Sequence, residues 1–324
     1  MNKRVLVIVV TYNGMPWLER CLGSVIPDLT GNLQTDVYVL DNDSTDGSAD
    51  FIQSHFPQVH LVRSAENLGF TGGNNLGFQY ALEHGYDYVY LLNQDAWLEE
   101  GALEKLVAAA EVHPEYAVLS PLQMTDGFTT FDPQFSKLYS GSAEGICSQT
   151  SGHPRPDKRE GPADQVGGRG RSEAEAVWGH IPSVEPVEVK RIMAAHWLVP
   201  VKALRQIGLF GELFPYYGQD DDWCHRAHYH GWKVGVVPAA RAVHDRAQRQ
   251  ESKERVIDRN YRVGSLVRLC DINRPLWERF LFVCLFTLVK AVKYGSFLPF
   301  KHLGSLCRQL PDVRGHRRRF RLPQ

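Results

Sequence analysis

The chain has 324 residues, of which 43% are hydrophobic and 23% are charged, and its formal net charge is −1. These values are ordinary for a globular protein of one large or two smaller domains. The near-neutral charge gives no electrostatic basis for binding nucleic acid, so we expect no nucleic-acid partner. The six cysteines form no CxxC pair. Their scatter argues against a zinc site and a disulfide framework, and it favours the reducing cytoplasm.

The first apolar run, VLVIVV at 5–10, has only six residues. It is too short for the apolar region of a signal peptide and far too short to span a bilayer. We therefore interpret it as the first strand of the fold.

Over the first 120 residues, apolar β-rich runs alternate with segments of helical spacing. Strands are predicted at 4–10, 36–43, 59–63 and 88–92, and helices at 15–26, 44–56, 71–85 and 98–113. Ser44 and Thr45 are candidate caps of the second helix, and Gly85 is expected to follow the end of the third. This alternation implies right-handed βαβ units and a mainly parallel sheet.

Four loops rich in Asn, Asp, Thr and Gly follow these strands: TYNG (11–14), DNDSTDG (41–47), SAENLGFTGGNN (64–75) and NQDAW (93–97). Each alone is ordinary turn or cap chemistry. Together they point to a ligand site, because parallel sheets bind ligands at the carboxyl ends of their strands. Neither GxGxxG nor GxxxxGK[ST] is present, which argues against a dinucleotide-binding dehydrogenase and a P-loop NTPase.

The segments VVTYN, VLDNDSTDGS, ENLGFTGGNNLG and LLNQDAWLE occur in the order and spacing found in family 2 glycosyltransferases. The NLGFTGGNN loop resembles that of the rhamnosyltransferase-like branch. Downstream, FPYYGQDDDWCHRAHYHGWKVGVVPAARAVH is similar to the second half of that family's catalytic domain. The resemblance implies an α/β fold of the GT-A type: a Rossmann-like, mainly parallel central sheet flanked by helices, with a C-terminal helical extension.

The resemblance also implies a site for a nucleoside diphosphate sugar. Its residues would be Thr11, Tyr12, Asn13, Asp41, Asn67, Gly69, Asn74, Asn93 and Asp95. Asp41 would accept a hydrogen bond from a pyrimidine N3–H, and glycine would permit close backbone approach. The family's DXD-type signature falls on residues 93–95, where only its last acid, Asp95, remains. Asp95 and His244 would bind Mg²⁺ or Mn²⁺; a packed or capping histidine is the other interpretation of His244.

The segment GQDDDWCHR offers three carboxylates for general-base chemistry. The resemblance places the base on Asp220, with Asp221 as the fallback, and crowding of like charges should raise the pKa of at least one of them. Asp222 stands four residues before Arg226 on a predicted helix, so we assign it to a structural ion pair. A helix start decorated with acids is the alternative interpretation.

Residues 140–180 are rich in Gly, Ser, Pro and charge, and they lack apolar periodicity. This composition predicts a long mobile insert. It is either an acceptor lid that orders on binding or an insertion without a role in catalysis.

Ten residues without a charge, 280–289, lie in the C-terminal segment between basic residues. This run is too short to span a membrane, but its aromatic content and basic flanks fit a helix lying in a membrane interface. The basic tail at 314–324 would be attracted to anionic lipid. The prediction is a peripheral contact with the inner membrane through 276–324; a packing helix with a solvated tail is the alternative.

The predicted function is that of a metal-dependent inverting glycosyltransferase at the cytoplasmic face of the membrane. It would move a sugar, rhamnose from dTDP-rhamnose by the loop resemblance, to a hydroxyl of a cell-surface glycan or lipid-linked acceptor. The predicted domains are a catalytic domain at 1–250, with donor half 1–120 and acceptor half 121–250, and an extension at 251–324. A sugar-nucleotide nucleotidyltransferase and an inactive nucleotide-sugar or glycan-binding module are the alternatives.

Overall fold

The computed structural model describes residues 3–26, 33–125, 128, 130–132, 135, 185–245, 252–294 and 298–321. The strands are β1 (Arg4–Thr11), β2 (Gln34–Asp41), β3 (His60–Arg63), β4 (Tyr88–Asn93), β5 (Ala96–Leu98), β6 (Tyr116–Met124), β7 (Val187–Glu188), β8 (His196–Pro200) and β9 (Lys233–His244). The predicted insert at 140–180 lies outside the described residues, so both interpretations of it stay predictions.

The helices of the described residues fall into a set that packs on the sheet and a C-terminal set. The first comprises α1 (Leu18–Gly23), α2 (Ser48–His55), α3 (Gly69–Glu83), α4 (Ala102–Val112), α5 (Val201–Ile207) and α6 (Gln219–Tyr229). The second comprises α7 (Lys253–Cys270), α8 (Leu276–Tyr294), α9 (Leu298–Arg308) and α10 (Leu310–Arg319).

One sheet joins the nine strands in the order β3-β2-β1-β4-β8-β6-β9-β5, with β7 beside β9. The block β3-β2-β1-β4 is parallel, as the βαβ alternation predicts. Strand β8 then runs antiparallel to β4 and β6, whereas β6 and β9 are parallel to each other. The sheet is therefore mixed, with a parallel block that carries the four polar loops.

Strand β1 is an unbroken apolar run because helices cover both of its faces. Its odd-numbered residues, Val5, Val7 and Val9, pack in one core with α1, α2 and α4, and Leu6 and Ile8 pack in the other with α3, α5 and α6. Strand β1 is thus held from both sides, which fixes the position of the loop at its carboxyl end.

Local structure departs from the sequence predictions in two places. Helix α2 begins at Ser48, after Gly47 in the left-handed region (φ 89°), so the expected capping by Ser44 and Thr45 is wrong. Ser44 Oγ instead accepts the backbone N–H of Asn13 at 3.0 Å. Strand β5 begins at Ala96, within the segment expected to lead straight into α4. Gly85 follows α3 with φ 69°, as predicted.

Helices α7 to α10 build a third apolar core with Phe214, which precedes α6. The basic C-terminal segment is not simply a solvated tail, because residues 310–319 form α10 and Arg317 is buried. The Arg317 guanidinium donates to the carbonyl oxygens of Leu269, Asp271 and Arg274, near the end of α7. Within the described ranges, no helix is long and apolar enough to cross a membrane.

Candidate active site

The carboxyl ends of β1, β2 and β4 lie side by side at one edge of the sheet. The parallel register sets Thr11 beside Asp41, and Val10 beside Asn93. The loops after β2 and β4 therefore each start about one strand spacing, roughly 5 Å, from the loop after β1, which lies between them. This is the convergence that the four polar loops predict.

Asn13 joins the first loop to the second. Its backbone has φ 50°, a left-handed value that Asn tolerates better than most residues. Its Oδ1 accepts the backbone N–H of Thr45 at 2.9 Å, and its own N–H donates to Ser44 Oγ. The Asn13 side chain is thus engaged in holding the loops in place.

Gln94 joins the first loop to the fourth, a contact that the sequence alone did not suggest. Its Oε1 accepts from Thr11 Oγ1 at 2.9 Å and from the backbone N–H of Tyr12 at 2.8 Å. Its Nε2 donates to the Tyr12 carbonyl at 3.3 Å. The middle position of the degenerate Asn-Gln-Asp segment is therefore a structural clamp, and its amide chemistry, able to donate and accept, suits that position.

Asp41 is buried, and only one of its carboxylate oxygens is hydrogen-bonded within the described part of the chain. Oδ2 accepts the Ser44 N–H at 3.2 Å, whereas Oδ1 is buried without a partner. An unsatisfied buried acceptor is costly, so its persistence suggests an external donor.

Asn42, next to Asp41, ties the second loop to the third. Its Nδ2 donates to Asn67 Oδ1 at 3.0 Å, and its Oδ1 accepts the Leu68 N–H at 2.7 Å. Gly69 then adopts φ 70°, and a Cβ there would stand 3.0 Å from the Pro215 carbonyl oxygen. Glycine is favoured here because both the left-handed backbone and the close approach disfavour a side chain.

These loops surround a cleft of about 320 Å³. Six of the predicted donor-site residues line it: Tyr12, Asn67, Gly69, Asn74, Asn93 and Asp95. The lining also includes residues that were not predicted, among them Trp17, Asn42, Gln94, Tyr216 and Asp245. The other three predicted residues do not line the cleft. They are hydrogen-bonded to residues of the cleft loops or next to them in the chain: Thr11, Asn13 and Asp41.

Asp95 and His244 meet although they are far apart in the chain. Strands β5 and β9 are antiparallel with Ala96 opposite His244, which brings His244 Nε2 to 3.3 Å from Asp95 Oδ1. Two ligands of one octahedral ion, each about 2.1 Å from it, stand about 3 Å apart. The buried carboxylate and imidazole thus fit a divalent cation that takes its remaining ligands from phosphate and water.

Asp220 lies in the first turn of α6, two residues after Gly218, whose φ is 88°. Its carboxylate accepts backbone N–H groups of Asp221 and Ala194. The next residue, Ala195, accepts the Asn93 N–H at 3.1 Å, so one short segment links Asp220 to the Asp95 loop. Burial and the neighbouring Asp221 charge raise the pKa of Asp220 to about 7. A carboxylate with this pKa is suited to general-base catalysis near neutral pH.

Comparison with known sequences finds a matching family and several relatives. Residues 6–159 match the family model of glycosyl transferase family 2. An N-acetylglucosaminyl-diphospho-decaprenol L-rhamnosyltransferase of Mycobacterium tuberculosis is 28% identical over 252 residues, 74% of this chain and 76% of that protein.

The matching family model and the rhamnosyltransferase relative support a family 2 glycosyltransferase.

A second relative of this glycosyltransferase is the dTDP-rhamnosyl transferase RfbF of Shigella flexneri, 23% identical over 277 residues, 85% of this chain and 75% of that protein. Both relatives confirm the predicted likeness to rhamnosyltransferases. They favour an enzyme of this family over the nucleotidyltransferase and the binding module.

Solved structures confirm the GT-A fold of this glycosyltransferase. GalNAc-T7 with UDP, GalNAc and Mn²⁺ aligns with a TM-score of 0.55 at 15% identity, over 82% of this chain and 48% of that one. Staphylococcus aureus TarS 1–349 with UDP-GlcNAc aligns with a TM-score of 0.51 at 14% identity, over 86% and 70%.

The third acid of α6 has a structural position in this glycosyltransferase. Asp222 Oδ2 accepts from Arg226 Nε at 2.9 Å, as the spacing predicted, and Oδ1 accepts from His316 Nε2 at 2.8 Å. Asp222, Cys270 and His316 are close enough to be metal ligands. The group is unsuited to a cation, because Arg226 already neutralises Asp222 and burial raises the pKa of the Cys270 thiol.

Proposed function

We propose that this glycosyltransferase transfers rhamnose from dTDP-rhamnose, with inversion, to a hydroxyl of a lipid-linked precursor of a cell-surface glycan. The observation that carries the proposal is the single cleft in which Asn67, Gly69 and Asp95 converge, with Asp220 linked to its edge. Relatives named for rhamnosyl transfer support the choice of sugar.

The donor would lie with its base near Asp41 and its diphosphate near Asp95. The free Oδ1 of Asp41 is an acceptor for the thymine N3–H, which supplies the missing hydrogen bond. Gly69 would let the backbone approach the sugar or its phosphate closely. Asn67 is held by Asn42, which orients its amide at the start of α3.

Asp95 and His244 would hold Mg²⁺ or Mn²⁺ between them. A cation bound there would neutralise the charge that develops on the diphosphate as it leaves. The tight Asp95–His244 contact keeps both ligands oriented, and the neighbouring Asp245 N–H donates to the Asp95 carbonyl at 2.8 Å.

Asp220 would act as the general base. The acceptor oxygen attacks the anomeric carbon, its proton passes to the Asp220 carboxylate, and the bond from that carbon to the diphosphate oxygen breaks. Attack opposite the leaving group inverts the anomeric configuration. The raised pKa of Asp220 matches a group that must accept a proton near pH 7.

Helix α8 would rest on the cytoplasmic face of the membrane. Its exposed side chains are largely apolar: Trp277, Leu281, Phe282, Leu285, Leu288, Val289 and Val292. A helix with such a face can lie in the headgroup region, where the acceptor's lipid would also be.

The direct test is transfer with purified enzyme, dTDP-rhamnose, Mn²⁺ and an N-acetylglucosaminyl-diphospho-lipid. We expect a product whose anomeric configuration is opposite to that of the donor, and no product in EDTA. The Asp220→Asn and Asp95→Asn variants should transfer the sugar at greatly reduced rates. Asp50→Asn, an exposed carboxylate on α2, is the matched control and should keep the wild-type rate. Equal transfer rates for Asp220→Asn and Asp50→Asn would refute the assignment of Asp220 as the base. Turnover of another nucleotide sugar but not of dTDP-rhamnose would refute the assignment of the donor.

A further inference from the structure

A second, larger cleft lies between the start of α6 and helices α7 and α8. Its volume is about 600 Å³. Four arginines from three parts of the chain line it, with two carboxylates and a histidine: Arg191, Arg259, Arg268, Arg279, Asp221, Asp271 and His225. The donor cleft shares none of these residues.

Among the described residues, four arginines and two carboxylates line this cleft, so basic side chains outnumber acidic ones. Asp221 pairs with Arg191 at 3.2 Å and Asp271 pairs with Arg279, so two of the arginines are matched by carboxylates of the cleft. Arg268 contacts a carbonyl and two aromatic rings: it donates to the Gly264 carbonyl at 2.8 Å and lies over Phe282 and Phe286. Arg259 lies over the Tyr217 ring at 4.2 Å.

Several features of α7 hold these charges together. A Cβ on Gly264 would stand 3.1 Å from Arg268 Nη1, so glycine leaves room for the guanidinium. Burial lowers the pKa of Arg268, the charge of Asp221 raises it, and the charges of Arg191 and Arg279 lower it to a smaller degree. Like charges held this close favour an anion between them, and guanidinium groups bind phosphate oxygens in bidentate fashion.

Asp221 connects this cleft to the catalytic base. It lines the cleft and is the residue after Asp220, whose carboxylate accepts its backbone N–H. An acceptor whose hydroxyl reaches Asp220 would therefore carry its next group into the arginine cleft. We propose that the cleft binds the diphosphate of the acceptor, and this proposal rests on the proposed transfer to a lipid-linked sugar.

The wall beyond the arginines fits a lipid attached to that diphosphate. Arg268 stacks against Phe282, and exposed apolar side chains of the same helix, among them Trp277, Leu281 and Leu285, continue from it. Sugar, diphosphate and hydrocarbon would thus meet the base, the arginines and α8 in that order.

The test compares two acceptors, an N-acetylglucosaminyl diphosphate with a short alkyl chain and the matching alkyl glycoside without phosphate. For Arg268→Gln and Arg259→Gln we expect KM for the diphosphate acceptor to rise about tenfold or more, since each variant loses a charge-assisted contact. KM for the alkyl glycoside should not change. Arg255→Gln, an exposed arginine one turn earlier on α7, is the matched control and should leave both values unchanged.

A binding measurement separates this proposal from the choice of donor. The affinity of metal-free enzyme for inorganic pyrophosphate should fall in both arginine variants and persist in Arg255→Gln, with thermal melts confirming that each variant is folded. Arginine-dependent pyrophosphate binding without turnover of dTDP-rhamnose would refute the donor alone. Unchanged pyrophosphate affinity and acceptor KM in both variants would overturn the diphosphate site. If both variants lost binding to anionic phospholipid vesicles while the acceptor KM stayed unchanged, the diphosphate site would also be overturned, because the arginines would then contact lipid headgroups.

Discussion

Replacing Asp222 by Asn should destabilise the protein more than any comparable change at a surface carboxylate. Asp222 and Arg226 are each about 1% exposed, and His316 is nearly as buried. Asn keeps the size of the side chain and one acceptor oxygen, but it removes the only carboxylate that Arg226 contacts among the described residues. The Arg226 guanidinium also lies 3.9 Å from the Phe320 ring centroid, far from water.

The magnitude follows from leaving a buried charge without its counterion. Breaking a buried pair in this way costs about 3–5 kcal/mol. The pair Asp50–Arg63 has a similar distance, 2.8 Å, but its carboxylate is 82% exposed, so Asp50→Asn should cost less than about 1 kcal/mol. Both variants therefore replace an arginine-paired carboxylate by an amide, and they differ in whether that ion pair is buried or exposed.

Urea denaturation followed by circular dichroism measures the difference in the free energy of unfolding. Burial alone would raise the pKa of Asp222, but the Arg226 charge and the His316 hydrogen bond outweigh it and hold the pKa below its usual value. A lowered pKa means that the ionised carboxylate stabilises the fold above about pH 4 and that this contribution is lost on further acidification. Asp222→Asn should lack that acid-sensitive part. Equal destabilisation by Asp222→Asn and Asp50→Asn would refute the buried-pair explanation.

Four further predictions concern catalysis, the donor loop and the membrane. The kcat/KM of transfer should rise with pH up to about 7 and then level off, because Asp220 must be ionised; a profile that is flat between about pH 5.5 and 8 would contradict this. Asp220→Asn should reduce kcat by about 10²–10⁴-fold in the same assay. Gly69→Ala should cost about 1–2 kcal/mol and raise donor KM, because its Cβ meets the Pro215 carbonyl at φ 70°; an unchanged melting temperature and donor KM would show that the backbone adapts. Trp277→Ser should weaken retention on anionic vesicles about tenfold, whereas Val112→Ser, 63% exposed on α4, should not; equal retention of both would exclude α8 from the membrane contact.

The parallel half of the fold was predictable because its signals are local. Strands β1 to β4 each coincide with an apolar run, and Gly85 ends α3 by its own backbone preference. The same locality explains the errors. Strand β5 is three residues long and exists because β9, more than a hundred residues later, pairs with it. Ser44 is a good helix cap in isolation, but its hydroxyl is used by Asn13 instead.

The site was predictable as a set of loops and less so in its internal contacts. Asn67, Gly69 and Asp95 line one cleft, as expected from parallel strands that end at one edge. The clamp made by Gln94 depends on the exact spacing of two loops, which no residue pattern encodes. The arginine cleft was missed for a related reason: Arg191 and Arg268 become neighbours only when α7 packs beside α6.

Helix α6 explains how three consecutive acids acquire three different environments. Successive residues of an α-helix are rotated by about 100°, so Asp220, Asp221 and Asp222 cannot face the same surroundings. Asp222 shares a face with Arg226, four residues on, and that face is buried against α10 through His316. With the helix fixed in this phase, Asp221 faces the arginine cleft and Asp220 bonds to Ala194 beside the Asp95 loop. The buried ion pair thus fixes the rotation of α6. That rotation gives one carboxylate each to the proposed base position, the proposed acceptor cleft and the packing of the C-terminal helices.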